Sequence, residues 1–380
     1  MKAAAYLYKN EKIENSTDVD GLDNSKCQLV FGFGNKELLL NNNMFKQLRQ
    51  NFPVANIAMC STAGEIFNYE VLDDSLSVIA MEFEKTTIKS ASVNISSYNS
   101  SFDAGADLIS MIDQSDLKYI FVLSDGGKVN GSELVRGIES LVQHKIPVTG
   151  GLAGDGTNFL STLVGLNQQP ESGNIVAIGF YGDSIKISHG SMGGWDMFGL
   201  EKTITRSVSN ELFEINNVNA LDIYKEYLGK YANELPGSAL LFPLSIKLSG
   251  VEDSIVRTIL SVNNENKSMV FAGDVPEGAK VRFMKANFDK LIDAASDAAN
   301  NSIVQFNAEP PKISILISCV GRKLILGKRV DEEVEAVKNV FGDKTIISGF
   351  YSYGEISPLH INTKCELHNQ TMTITSFNEI

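Results

Sequence analysis

An α/β fold is predicted by one order of elements that recurs three times in this chain: strand, helix, strand, glycine-rich turn. Two observations carry the prediction. Each repeat spans ~30 residues or slightly more, the length of a βαβ unit. Each also ends its second apolar run in a turn rich in glycine and acidic or hydroxyl residues. The turn Thr62-Ala63-Gly64-Glu65-Ile66 near the start echoes Ser352-Tyr353-Gly354-Glu355-Ile356 near the end. That echo predicts two pseudo-related halves, 1–235 and 236–380, with β-meanders between the units.

In the first unit, Gln28 to Phe33 reads as a strand. Lys36 to Asn51 carries apolar residues at 38, 39, 40, 44, 45 and 48, a helical spacing. Val54 to Met59 is the second strand. The second unit starts with Tyr119 to Leu123 and stops at Ser124-Asp125-Gly126-Gly127. A helix follows from about Gly131 to Val142, with Leu134, Val135, Ile138, Leu141 and Val142 on one face. Ile146 to Val148 then runs into Thr149-Gly150-Gly151-Leu152-Ala153-Gly154-Asp155-Gly156. The third unit has Ile313 to Ile317, a helix from Asp331 to Val340, and Thr345 to Ile347 before the Tyr-Ser-Tyr-Gly-Glu turn. Parallel pairing with right-handed crossovers is expected, which puts all three turns on one rim.

The intervening stretches read as strands. Ser75 to Phe83 is expected to pair with Thr87 to Ile95. Asn174 to Tyr181, Ser184 to Gly190 and Thr203 to Ser207 are expected to form one meander. Ile255 to Val262, Ser268 to Ala272 and Ala279 to Met284 are expected to form another. Leu235 to Ser249, with Pro236-Gly237 and Pro243, is the expected junction.

Composition narrows the function. The chain is 43% hydrophobic and 21% charged, enough apolar residue for a real core. Its net charge of -13 disfavours a nucleic-acid partner, which needs lysine and arginine patches. No apolar run approaches the ~20 residues of a membrane helix. The polar stretch from Lys9 to Asp20 is unlike an export signal, so a cytoplasmic protein is expected. Cys27, Cys60, Cys319 and Cys365 form no CxxC pair and read as free thiols.

Four segments, in order, resemble the C-terminal part of the FIST family: Val275-Pro276-Glu277-Gly278, Ser318 to Arg322, Gly349 to Ile356, and His368 to Thr371. Ser61 to Ile66 and Gly150 to Asp155 resemble its N-terminal part. The segment His189 to Trp195 departs from the family pattern in detail. The resemblance implies a sensory module of bacterial signal transduction that binds a small ligand, with amino acids proposed. Some relatives are haem-based nitric oxide sensors. It further implies a separate partner: a histidine kinase, a chemotaxis receptor or a cyclic-dinucleotide enzyme.

The candidate ligand residues follow. Glu355 suits an ammonium group, and Tyr351, Ser352 and Tyr353 supply walls and hydroxyls. Arg322 suits a carboxylate, with Cys319 beside it; the competing reading is an ion pair between Arg322 and Glu333 or Glu355. Thr62 and Glu65 mirror this set, and Asp155 and Asn369 complete it. The run Gly150 to Gly156 lacks the Lys-Ser/Thr of a phosphate loop and reads as a tight turn. No cofactor is expected. The alternative is haem on His189 or His368. A rim-cysteine hydrolase or transferase is a second alternative, although no GxSxG elbow or fixed Cys–His pair is present.

Overall fold

The computed structural model describes residues 1–18, 20–248, 253–306 and 309–380, so Ser249 of the expected junction lies outside the described residues. All three βαβ units are present. Leu29–Gly34 runs parallel to Asn56–Ser61, Leu117–Ser124 to Val148–Leu152, and Ile313–Cys319 to Ile346–Ser352. The α/β class therefore holds. Helices Asn42–Asn51, Gly131–Val142 and Val330–Phe341 make the crossovers.

The three units are elaborated in the same way. In each sheet a return strand lies antiparallel against the unit's first strand: Leu76–Glu82, Asn174–Tyr181 and Met372–Glu379. A further strand flanks each return strand: Lys2–Lys9, Thr87–Asn94 and Ile185–Met192. Beyond each turn the chain leaves its own sheet. Glu65–Phe67, after the first unit, pairs with the third unit's Ile346–Ser352. Gly354–Pro358, after the third, pairs with the second unit's Val148–Leu152. Val164–Leu166, after the second, pairs with the first unit's Asn56–Ser61. Every unit thus lends a strand to a neighbour, and the exchange closes into a ring.

Strand alternation fills that ring. Leu29, Phe31 and Phe33, Tyr119, Phe121 and Leu123, and Ile313, Ile315 and Ile317 all join one core cluster. These are alternate residues of the three first strands, so one face of each sheet looks inward. Phe31 meets Phe121 at 4.9 Å, and Phe33 meets Phe350 at 4.9 Å.

The exchange corrects the strand pairings read from sequence order. Leu76–Glu82 lies in the first sheet and Thr87–Asn94 in the second, so they do not pair. Asn174–Tyr181, Ile185–Met192 and Asp196–Val208 go to three different sheets. The last of these opens an antiparallel fourth sheet, completed by segments up to Lys280–Lys285. This layer has its own core around Tyr224, Phe271 and Phe283. It is inserted between the second and third units and overhangs the rim where the turns lie.

Candidate functional site

The rim is built from three turns, and two of them hold matching carboxylates. Thr62 Oγ1 donates to Glu65 Oε1, while Ser75 donates to Oε2 from N (3.1 Å) and Oγ (2.8 Å). Ser352 Oγ donates to Glu355 Oε1 at 2.7 Å, while Thr371 donates to Oε2 from N (3.1 Å) and Oγ1 (2.9 Å). Both glutamates are buried, and burial pushes each carboxyl up to about 7. Each ties its turn to the start of a return strand. In the second unit Asp125 takes that task, accepting from Gly173 N (2.8 Å) and Ser172 Oγ (3.1 Å). Thr62, Glu65, Ser352 and Glu355 therefore brace the rim. The expectation that they grip a ligand is corrected, because their oxygens are filled from within.

Arg322 is corrected too, and the competing ion-pair reading prevails. It donates to Glu333 Oε2 from Nε (2.9 Å) and Nη2 (2.7 Å), to Gly193 O (2.7 Å), and to Leu291 O (2.7 Å). Glu333 Oε1 accepts from Ser318 Oγ (3.0 Å) and Tyr351 OH (2.6 Å). Arg322, Glu333 and Tyr351 are all fully buried. A desolvated guanidinium needs such partners, and four of its five N–H groups are already taken within the chain.

What the rim does present is a cavity of about 350 Å³ between the third and second units and the overhanging sheet. Tyr353, Cys319 and Asn369, three of the expected residues, line it. Tyr353 OH donates to the Asp155 carboxylate, accepts from Asp155 N (3.1 Å) and Phe159 N (3.2 Å), and its ring stacks on Phe159 at 4.5 Å. Asp155 holds the loop besides, taking Leu160 N at 3.1 Å and Ser161 N at 3.0 Å. It shapes the cavity without lining it. Burial pushes the Cys319 thiol well up, so it stays protonated at neutral pH. No histidine stands in the lining to act as its base.

Sequence reasoning missed half of this cavity. Gly126, Gly127, Lys128 and Gly131 line it from the second unit. Gly126 must be glycine here, because a Cβ would fall 2.1 Å from Ala153 O. The signal was the Gly-Gly-Lys run after a strand end. Thr258 and Phe271 arrive from the inserted sheet, and no local pattern marks them. Asn369 Oδ1 and Thr258 Oγ1 are buried and have no partner among the described residues.

The residues do not fit haem. His189 is buried on Ile185–Met192 and does not line the rim cavity. His368 Nε2 donates to Ser357 O at 2.9 Å, and the cavity beside it, about 140 Å³, is far too small for a porphyrin. Burial lowers both imidazoles to about 4. Among the described residues there is no group of three or more metal-ligating side chains, and no helix long and apolar enough to cross a membrane.

Residues 28–218 match the FIST N domain and residues 220–358 the FIST C domain. Domains of this kind are associated with sensory and signalling roles and generally bind small ligands. None of the curated proteins compared with this chain matches it in sequence. Among solved structures, a cyanuric acid hydrolase from A. caulinodans is 9% identical with a TM-score of 0.37, covering 100% of this chain and 99% of its own. PurLQS from Thermotoga maritima is 9% identical with a TM-score of 0.21, covering 77% of this chain and 73% of its own. Likenesses this weak carry no argument about activity.

Proposed function

Since this chain belongs to the FIST family, spanned by its N and C domains in order, we propose that it is a cytoplasmic sensor for a small polar metabolite, an amino acid or a similar compound. The ligand enters the rim cavity and the signal passes to a separate protein. One observation carries the reading: a cavity of about 350 Å³ opens where the turns of two units meet the overhanging sheet, lined by Tyr353, Gly126 and Lys128 together with Asn369 and Thr258. A concave lining of apolar side chains with a few polar groups suits a small ligand.

The overhanging sheet supplies a way to report occupancy. It meets the three-sheet body through polar ties and through Leu240 and Leu241, which pack against Ile325 and Leu326. Arg257 Nη1 donates to Leu367 O (2.9 Å), and Arg136 Nη1 pairs with Asp274 (2.7 Å). A ligand touching both walls favours the closed arrangement and changes the surface offered to a partner. A histidine kinase, a chemotaxis receptor and a cyclic-dinucleotide enzyme are the partner classes the family suggests. No catalytic role is proposed, since the one lining thiol is held protonated.

Thermal-shift measurements against amino acids, related metabolites and haemin test the reading. A saturable rise in midpoint with a small polar metabolite, lost in Tyr353→Ala, supports it. A rise with haemin alone overturns it.

A further inference from the structure

The second unit crosses to its neighbour by a longer route than the other two. The first unit leaves Asn56–Ser61 and enters its lent strand, Glu65–Phe67, after three residues (62–64). The third leaves Ile346–Ser352 and enters Gly354–Pro358 after one, Tyr353. The second takes eleven residues (153–163) between Val148–Leu152 and Val164–Leu166. The exchange itself needs no such length, so the loop 153–163 calls for a reason of its own.

Both ends of this loop are fastened to the strand ends beneath it. Ala153 N donates to Ser124 O (2.8 Å), Gly154 N to Ser61 O (2.9 Å) and Gly156 N to Thr62 O (3.1 Å). At the far end Thr162 Oγ1 accepts from Gly126 N (2.8 Å), and Leu163 N donates to Ser61 Oγ (2.9 Å). Lys36 of the first unit holds the base from one side, with Nζ 2.5 Å from Ser161 Oγ and 3.7 Å from the Asp155 carboxylate.

The middle of the loop, 157–160, is exposed and held differently. Its hydrogen bonds run to Asp155, in the loop's own base, and to one residue of another unit, Tyr353. The Tyr353 hydroxyl accepts from Phe159 N (3.2 Å) while donating to the Asp155 carboxylate, and the two rings stack at 4.5 Å. Phe159 also carries a φ of 53°, a left-handed conformation that a bulky residue keeps only when its surroundings impose it. Leu160 beside it is 81% exposed, more than any other large apolar residue described, so no packing holds the tip down. Phe159 and Tyr353 both line the rim cavity.

We propose that the loop 153–163 is a flap on the rim cavity, latched by Tyr353. Breaking the latch lets Phe159 relax out of its left-handed conformation and leave the cavity wall, while the fastened ends act as hinges. The proposal rests on the sensor reading above for the cavity's role and adds how occupancy is reported. A ligand against Tyr353 and Phe159 bears on the latch directly, and the tip at Leu160 is the outer surface that moves.

Two measurements on the full chain, neither using a ligand, test the flap. Amide hydrogen exchange compares wild type with Tyr353→Phe, which keeps the ring and removes the hydroxyl. Exchange across 157–161 should rise roughly 10-fold, with Leu117–Ser124 and Gly131–Val142 unchanged. Phe159→Gly and Phe159→Ala both lose the ring, but only glycine adopts the left-handed conformation freely, so exchange at 160–161 should be roughly 5-fold slower in the glycine variant. Alkylation by iodoacetamide then reads the cavity wall. Cys319 lines the cavity, whereas Cys60 and Cys365 are buried outside it. Tyr353→Phe should speed labelling of Cys319 roughly 10-fold and leave the other two unchanged. Unaltered exchange at 157–161, or a rise spread over the whole chain, overturns the latch. Faster exchange with unaltered Cys319 labelling overturns the flap, since the loop then moves without opening the cavity. Either failure leaves the sensor reading standing, and a thermal-shift screen without a hit leaves these two results standing.

Discussion

Glu65 and Glu355 are counterparts. Each accepts a hydroxyl hydrogen bond from the residue three before it, and a backbone N–H and a hydroxyl from the residue just before a return strand. The same cage on two sheets means that the turns are held by one device used twice, and that both units respond alike to protons.

The first prediction concerns pH. Burial raises both glutamates in the folded state from 4.5 to about 7. A carboxyl raised in this way adds stability that is full below pH ~4.5 and is lost as pH climbs through ~7. The difference is expected to be about 1–3 kcal/mol per group. His189 and His368, lowered to about 4, act oppositely, losing stability as pH falls below about 6.5. Urea denaturation from pH 4.5 to 8 therefore compares wild type with the Glu65→Gln, Glu355→Gln double variant. The gap between the two curves should widen in favour of the variant as pH rises; parallel curves would refute the shifts.

Arg322 is expected to matter for stability. Arg322→Ala strands the Glu333 carboxylate, which is fully buried, and should cost about 3–5 kcal/mol. Replacing both partners with Met and Leu should cost less than Arg322→Ala alone. A chemical-denaturation cycle reads this directly, and a loss below ~1 kcal/mol in Arg322→Ala would contradict the buried ion pair.

Gly126→Ala is expected to distort the cavity wall. The added Cβ falls 2.1 Å from the Ala153 carbonyl oxygen, a backbone atom. The strand end or the turn must shift, at roughly 1–3 kcal/mol. Gly127, whose nearest neighbour is the Asp125 carboxylate at 3.6 Å, is the control and should tolerate alanine. Equal melting temperatures for the two variants would speak against the close approach.

Haemin titration is expected to give no saturable one-to-one Soret shift. His368 is engaged with Ser357, and His189 is buried and does not line the rim cavity. A submicromolar shift abolished by His189→Ala would reverse this.

The three units were legible because their helices and strands are long and periodic. Gly131–Val142 and Val330–Phe341 sit where the apolar spacing puts them, whereas the helix expected over Lys36 to Asn51 is broken at Asn41 into Lys36–Leu40 and Asn42–Asn51. The kinship of the turns at Glu65 and Glu355 was legible from shared residues. The closed ring was not. It depends on strands as short as Glu65–Phe67 and Val164–Leu166, too brief to show a period, and a strand carries no mark of its partner. The site divides similarly. Tyr353, Cys319 and Asn369 were found because they crowd around a strand end. Arg322 was misassigned because a guanidinium suits a buried glutamate as well as a ligand, and only tertiary structure chooses between them.

The strand exchange also bears on the order in which the protein can take shape during synthesis. The second sheet borrows Gly354–Pro358 from the third unit, while the third borrows Glu65–Phe67 from the first. When the ribosome has made residues 1–285, the second sheet still has a bare edge, and Glu65–Phe67 has only the short strand Glu70–Leu72 beside it. The inner faces of two sheets, with Phe31, Phe33 and Phe121, wait for Ile313–Cys319 and its neighbours to cover them. Completion of the body is thus tied to residues 313–380, and nascent chains halted before residue 313 are expected to be clients of holding chaperones rather than partly working sensors.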